Sequence, residues 1–138
     1  MNETTSRALG PAIIVRLTPK WRHHREEIEH GYFRAGSGWY DGITDTELMD
    51  SVRAWWRISP KSIGQRGIEY VVAYAAGSTR AVYRLDSVIG PRHHDGRCAF
   101  NLKLIESGPI FDLAVGLDGK RIDFAPGSAN PIQYWIHE

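Results

Sequence analysis

Aromatic and basic side chains alternate in one short stretch of the chain, and this mixture is the clearest chemical signal in the sequence. The stretch is Arg53-Ala-Trp55-Trp56-Arg57, and a second aromatic pair, Trp39-Tyr40, lies just upstream. Planar rings stack on nucleobases while arginines hold phosphates, so the mixture suits nucleic acid, above all unpaired or flipped bases. The structural alternative is that Trp55, which follows Leu48 and Val52 at helical spacing, packs in the core.

Basic residues are concentrated in the middle of the chain, although the net charge is only +1. Residues 51 to 100 hold eight Lys and Arg against three Asp and Glu, a local excess of five positive charges. One positive face would attract phosphates. Scattered solvated charges are the alternative interpretation.

Catalytic and metal-binding signatures are not recognisable in the sequence. His24, Glu27 and His30 could face one way on a helix, but this set lacks a defined fourth metal ligand. Cys98 lies in an apolar predicted strand, which favours an inert buried thiol. The Gly36-Ser-Gly38 stretch follows no clear strand and opens no convincing helix, so it does not predict a phosphate loop. We therefore assign no catalytic residue, metal or cofactor.

Helix signals are strongest in the second quarter of the chain. Thr44-Asp-Thr-Glu47 forms a capping box, and the apolar stripe behind it predicts a helix that ends near Trp56 to Ile58. Ser59-Pro60 predicts a second helix to Gln65, closed by Gly67. A third helical turn is predicted over Pro109 to Val115.

Strand signals occupy most of the remaining chain. The apolar run Ile68 to Ala75, the turn Gly77-Ser78 and the alternating run Thr79 to Leu85 predict an antiparallel hairpin. Further strands are predicted at these four places: Ala12 to Leu17, Arg97 to Leu104, Lys120 to Phe124 and Ile132 to Ile136.

The chain is predicted to form one domain over residues 1–138, with flexible residues 1–10. Residues 19–42 show little periodicity, so we predict a long loop or insertion there, with one or two helical turns as an option over Trp21 to His30. Short strands joined by tight turns predict an α+β fold, either a small strongly curved sheet or a β-barrel with flanking helices.

The sequence also bears on the compartment. No apolar run approaches the roughly 20 residues that span a bilayer, and no signal peptide is recognisable, so we expect no membrane partner. The single cysteine fits a reducing compartment, which favours the cytoplasm.

Three segments together resemble a known family: Tyr40 to Leu48 running into Arg53-Ala-Trp-Trp-Arg-Ile58, then Tyr70 to Leu85, then Gly127-Ser-Ala-Asn-Pro-Ile-Gln-Tyr134. They are similar to the PUA-like domain, related to EVE, ASCH and YTH domains, that occurs alone or beside GIY-YIG type nuclease domains in bacterial proteins. The resemblance implies a small β-barrel that binds RNA or reads modified bases in an aromatic pocket, without catalysis. Ala54 departs from the family's usual glycine, and any nuclease partner would be another chain.

From these observations we expect a non-catalytic nucleic-acid-binding module for DNA or RNA, with a modified or unpaired base as ligand. The candidate contacts are Trp39, Tyr40, Arg53, Trp56, Arg57, Arg97 and Asn130. Asn130 could instead fold back on the turn that it makes with Pro131. Two other functions stay open: a protein-interaction or regulatory module, and an enzyme acting on a nucleotide or small molecule.

Overall fold

A computed structural model describes residues 11–118 and 131–135. Within these residues the chain forms seven strands and three helices. The strands are β1 (Ala12–Arg16), β2 (Arg22–Glu29), β3 (Tyr32–Ser37), β4 (Tyr70–Ala75), β5 (Ser78–Ile89), β6 (Ala99–Ile105) and β7 (Ile132–Trp135). The helices are α1 (Asp45–Arg53), α2 (Pro60–Arg66) and α3 (Pro109–Val115). The strand predicted over Lys120 to Phe124, and residues 1–10, lie outside the described residues.

Five of these strands form one mixed sheet in the order β6-β5-β4-β1-β7. β1 and β4 run parallel, while the other neighbours in the sheet are antiparallel. A parallel pair needs a long crossover connection, and here the crossover contains β2, β3, α1 and α2. The α+β class is therefore confirmed, but the described strands do not close into a barrel.

The predicted β4–β5 hairpin is confirmed. Its strands are joined at Ala76 and Gly77, which both have positive φ, at 48° and 81°. Two such residues match the right-handed twist of the flanking strands, which is why tight hairpins favour this turn. β5 continues to Ile89, beyond the predicted end at Leu85, because its second half pairs with β6.

Both faces of the sheet are covered, which explains the continuous apolar run in β1. Ile13 and Val15 face the main core with α1 and α2, whereas Ile14 faces a second core with α3. A strand buried on both sides cannot alternate apolar with polar residues. The β1 segment was for this reason predictable from composition alone.

The segment 19–42, predicted as a loop or insertion, contains a second hairpin. β2 and β3 pair with each other, and the option of helical turns over Trp21 to His30 is wrong. Ile28 alone is buried among the eight residues of β2. A strand this polar on both faces carries no period-2 apolar pattern, so periodicity could not find it.

Helix α1 begins as the capping box predicts. The Thr44 side chain accepts a hydrogen bond from the Glu47 amide, and the Glu47 carboxylate accepts one from the Thr44 amide. The helix ends earlier than predicted, at Arg53, and Ala54 is extended. Helix α2 likewise begins at the predicted Ser59 cap and ends at Gly67.

The early end of α1 changes the position of Trp55. Its burial is confirmed at 8% exposure, but it packs with Ile28, Ala54 and Ala99 and not on the stripe of Leu48 and Val52. Beyond the last helical turn, the side chain no longer follows the helical periodicity. Trp55 therefore fills a small separate core beneath the β2–β3 hairpin.

The hairpin is also fastened to α1 by one buried side chain, Arg34 of β3. Its guanidinium donates to the backbone carbonyl oxygens of Asp50 and Ala54, at the end of the helix. The same group makes an ion pair with Glu26 of β2, with 2.6 Å between nitrogen and oxygen. Arg34 is 6% exposed, so this cation satisfies helix-end carbonyls that would otherwise lack partners.

We expect Arg34→Met to lower the free energy of unfolding by about 3 kcal/mol, the lower end for breaking a buried ion pair, because Glu26 keeps some solvent access. Urea denaturation measures the change. Arg84→Met is the matched control: its pair with Asp86 is exposed and should be worth less than about 1 kcal/mol. Equal losses for the two variants would contradict the bracing role of Arg34.

Trp55→Ala should lower the free energy of unfolding by roughly 3 to 5 kcal/mol, because it leaves a cavity in a closed apolar cluster. The same denaturation experiment tests it, with Val115→Ala, at an exposed position, as the control. A midpoint like that of the control would place Trp55 outside the core.

Candidate nucleic-acid interface

A cleft of about 910 Å³ opens where β1 ends. The end of β1, the segment that leads into β2, the β3 end of the hairpin and one side of α1 surround it. The residues that line it include Arg16, Lys20, Trp21, Arg22, Ser51 and Trp56. The cleft is therefore a product of the hairpin lying against α1.

The charged side chains among the described lining residues of this cleft are all basic. Arg16, Lys20 and Arg22 line it, and the described lining residues include no Asp or Glu. All three side chains belong to exposed residues. A concave surface with basic groups and apolar walls concentrates anions.

Trp21 is held in position from three sides. Its Nε1 donates to Nδ1 of His23 at 3.2 Å, and its ring meets the Tyr40 ring edge to face, with centroids 5.3 Å apart. The third side is the backbone of Gly36, where an added Cβ would lie 2.6 Å from the indole. Only glycine allows the ring to lie so close to β3.

Tyr40 connects Trp21 to the start of α1. Its hydroxyl donates to the Glu47 carboxylate, the group that also closes the capping box on Thr44. This hydrogen bond from Tyr40 is the main reason why the pKa of Glu47 lies below its usual value, and it raises the pKa of Tyr40 in turn. Tyr40 is thus a positioning residue behind the cleft.

Trp56 supplies the second indole. Its Nε1 donates to the carbonyl oxygen of Val52 at 2.7 Å, so the ring is tied to the last turn of α1. Its backbone pairs with Cys98, with both hydrogen bonds at 2.9 Å. The two tryptophans of the cleft are therefore fixed by different elements, one by the hairpin and one by the helix.

Ser51 is one of the residues that line this cleft, and its hydroxyl is buried. It is 1% exposed, and its Oγ has no hydrogen-bond partner in the described part of the chain. A buried hydroxyl without a partner costs about 1 to 3 kcal/mol. A ligand in the cleft could supply the missing partner.

The predicted aromatic contacts take different positions. Trp56 lines the cleft, and Tyr40 contacts it only through Trp21. Trp39 is half-buried and does not line it; the Arg80 guanidinium lies over its ring, 4.1 Å from the centroid. Asn130 lies outside the described residues.

The predicted arginines also separate. Arg53 is 8% exposed, and its guanidinium binds the Phe100 carbonyl oxygen at 2.9 Å and Glu29 at 3.2 Å. Arg97 donates to the Trp55 carbonyl oxygen at 3.3 Å. Arg57 is exposed and directly follows Trp56 in the sequence. Of these three arginines, only Arg57 belongs to the exposed residues, and it is not among the residues that line the cleft.

Sequence reasoning missed Trp21 and Ser51 as site residues. The triplet Lys20-Trp21-Arg22 has the same aromatic and basic interleaving as residues 53–57, so a signal existed there. The triplet leads into a strand without apolar periodicity, so no predicted element places it beside residues 53–57. Ser51 carries no such signal, since its place in the cleft depends on the rotation of α1.

A second cavity, of about 390 Å³, lies between the hairpin, α1 and the sheet. Three acidic residues, Glu29, Asp45 and Asp50, line it against the single base Arg53. Burial raises the pKa of Asp50 despite the hydrogen bond from the Tyr32 hydroxyl at 2.9 Å. The excess of acidic residues makes this second cavity a poor site for phosphate.

Among the described residues, no group of His, Cys, Asp and Glu is arranged to hold a metal ion. No helix in that part of the chain is long and apolar enough to cross a membrane. Comparison with protein-family models, curated proteins and solved structures finds no match to this chain.

The pKa of Glu47 is lowered in the folded state. Its ionised form therefore stabilises the fold at pH values above the ordinary glutamate pKa of 4.5. That contribution is lost as pH falls through the folded-state pKa. The stability difference between the protein and Glu47→Gln should therefore shrink between about pH 7 and about pH 3. Urea denaturation across this range measures it, with Glu106→Gln as the control. A difference independent of pH would show that the carboxylate charge is not involved.

Proposed function

We propose that this protein is a nucleic-acid-binding module that takes an unpaired base into the cleft of Trp21 and Trp56. The observation that carries the proposal is the combination in one cleft of two fixed indoles with a wholly basic set of described charged side chains. Indole rings stack on any nucleobase, and the basic side chains of the cleft hold the flanking phosphates.

The dimensions of the cleft support a ligand of nucleotide size. Its volume of about 910 Å³ falls in the range of roughly 300 to 1,000 Å³ that is typical of small-molecule pockets. A single flipped or unpaired base with its sugar fits such a space, whereas a duplex does not. The ligand is therefore a single strand or an extruded base.

Preorganisation also supports this role. Trp56 is tied to Val52, and Trp21 rests on Gly36 and Tyr40. Rings that are already fixed lose little side-chain entropy when a base stacks on them. The resemblance to PUA-like domains implies the same class of ligand, and we extend the proposal to modified bases, to DNA or RNA, and to a nuclease partner in another chain.

A protein-partner surface is the second candidate. Tyr32 and Phe33 of β3 are exposed large hydrophobic residues, which favours it locally. The two functions differ in their response to salt, since phosphate binding weakens steeply with salt and an apolar interface does not.

Trp21→Ala should weaken binding of a labelled single-stranded oligonucleotide by about 1 to 3 kcal/mol, the usual value of one stacked base. Arg22→Ala should instead reduce the slope of affinity against salt by about 0.7, the value for one single-strand phosphate. Fluorescence anisotropy titrations of single- and double-stranded DNA and RNA, with and without modified bases, at several salt concentrations, measure both effects.

Two variants control these titrations. Trp39→Ala removes an indole that does not line the cleft, and Arg84→Ala removes an exposed arginine of β5; both should bind as the parent protein does. Circular dichroism confirms that each variant is folded. Absence of oligonucleotide binding by the parent protein at low salt would overturn the proposal and favour the partner surface.

A further inference from the structure

We propose that the Ser51 hydroxyl is a specificity-determining group that hydrogen-bonds the polar edge of the inserted base. This inference rests on the proposed function and adds to it how the cleft distinguishes a base from any flat apolar ring. The ligand class that follows is a heteroaromatic ring that presents a hydrogen-bonding group on the edge entering the cleft.

The position of Ser51 is fixed by both of its neighbours in α1. Asp50 accepts hydrogen bonds from the Tyr32 hydroxyl, and the Val52 carbonyl oxygen accepts one from the Trp56 indole. Helix rotation about this point would break one contact or the other. Ser51 is therefore held in the cleft that Trp56 also lines.

Serine is a costly choice at this position in the unliganded protein. Alanine is the better helix former and would bury no hydroxyl. The buried Oγ without a partner in the described residues gains nothing from the fold around it. A hydrogen bond with a bound ligand would offset that cost. A polar group in the same cleft as two aromatic rings can orient a ligand there.

The chemistry of a hydroxyl limits what it can distinguish. A serine hydroxyl both donates and accepts, so it binds either kind of polar group on a base edge. It discriminates against a ring of the same shape that lacks such a group, because the hydroxyl then stays unpaired. Ser51 thus favours polar edges over apolar ones and does not choose between two polar bases.

The test uses a short DNA oligonucleotide in which one base is flanked by abasic sugars. The base is thymine or its nonpolar shape analogue difluorotoluene, and in a second pair adenine or methylindole. The parent protein should bind each natural base about 5- to 10-fold more tightly than its analogue, the value of one neutral hydrogen bond. Ser51→Ala should lose that preference by weakening the natural base alone.

Three controls accompany Ser51→Ala. Its melting temperature should equal or exceed that of the parent protein, because it removes an unpaired hydroxyl. Ser62→Ala, a serine-to-alanine change in α2 away from the cleft, should leave the preference intact. Trp21→Ala should weaken natural base and analogue alike.

The outcomes separate the two proposals. If Trp21→Ala weakens binding while Ser51→Ala leaves the preference for natural bases unchanged, the cleft binds bases and the role of Ser51 is wrong. If the parent protein binds none of the oligonucleotides, the proposed function fails and the inference about Ser51 fails with it. If Ser51→Ala loses the preference for natural bases while Ser62→Ala keeps it, the result supports both the proposed function and the role of Ser51.

Discussion

The guanidinium of Arg34 connects the β2–β3 hairpin to α1. Among the described strands, those of the hairpin do not pair with those of the five-stranded sheet. This guanidinium, which belongs to β3, donates hydrogen bonds to the Glu26 carboxylate and to the carbonyl oxygens of Asp50 and Ala54. The hairpin itself buries little apolar surface, so a charge-assisted anchor takes the place of a hydrophobic one. The partial negative charge of the helix end adds to the attraction.

The candidate site depends on this anchor. One wall of the cleft, with Trp21, belongs to the hairpin, while the other, with Ser51 and Trp56, belongs to α1 and the residues that follow it. The buried Arg34 guanidinium holds these two walls together, beside the hydrogen bond from Tyr32 to Asp50 and the ion pair of Arg53 with Glu29. Its chemistry has nothing to do with stacking.

Local signals predicted the elements that local chemistry determines. The Thr44 capping box, the Ser59-Pro60 start and the β4–β5 hairpin each need only neighbouring residues, and all three are confirmed, although the hairpin turn lies at Ala76 and Gly77, one residue before the predicted Gly77-Ser78. Tertiary contacts decided the rest. The polar hairpin exists because it packs on α1, and Arg53, assigned to phosphates from its charge, is buried because Phe100 and Glu29 bind it. Charge and aromaticity made both Trp56 and Trp39 candidates, but only the fold shows that Trp56 lines the cleft while the Trp39 ring lies beneath Arg80.

The parallel pairing of β1 with β4 has a consequence for the order of folding. Ala12 pairs with Tyr70, so the strands at the centre of the sheet are joined only through the hairpin, α1 and α2. Closing so long a connection costs chain entropy before any ladder hydrogen bond forms, and native contacts of this kind slow folding. The connection becomes cheaper to close once Arg34 and the cleft walls have shortened it. We therefore expect the walls that the hairpin and α1 give to the candidate cleft to assemble no later than the centre of the sheet.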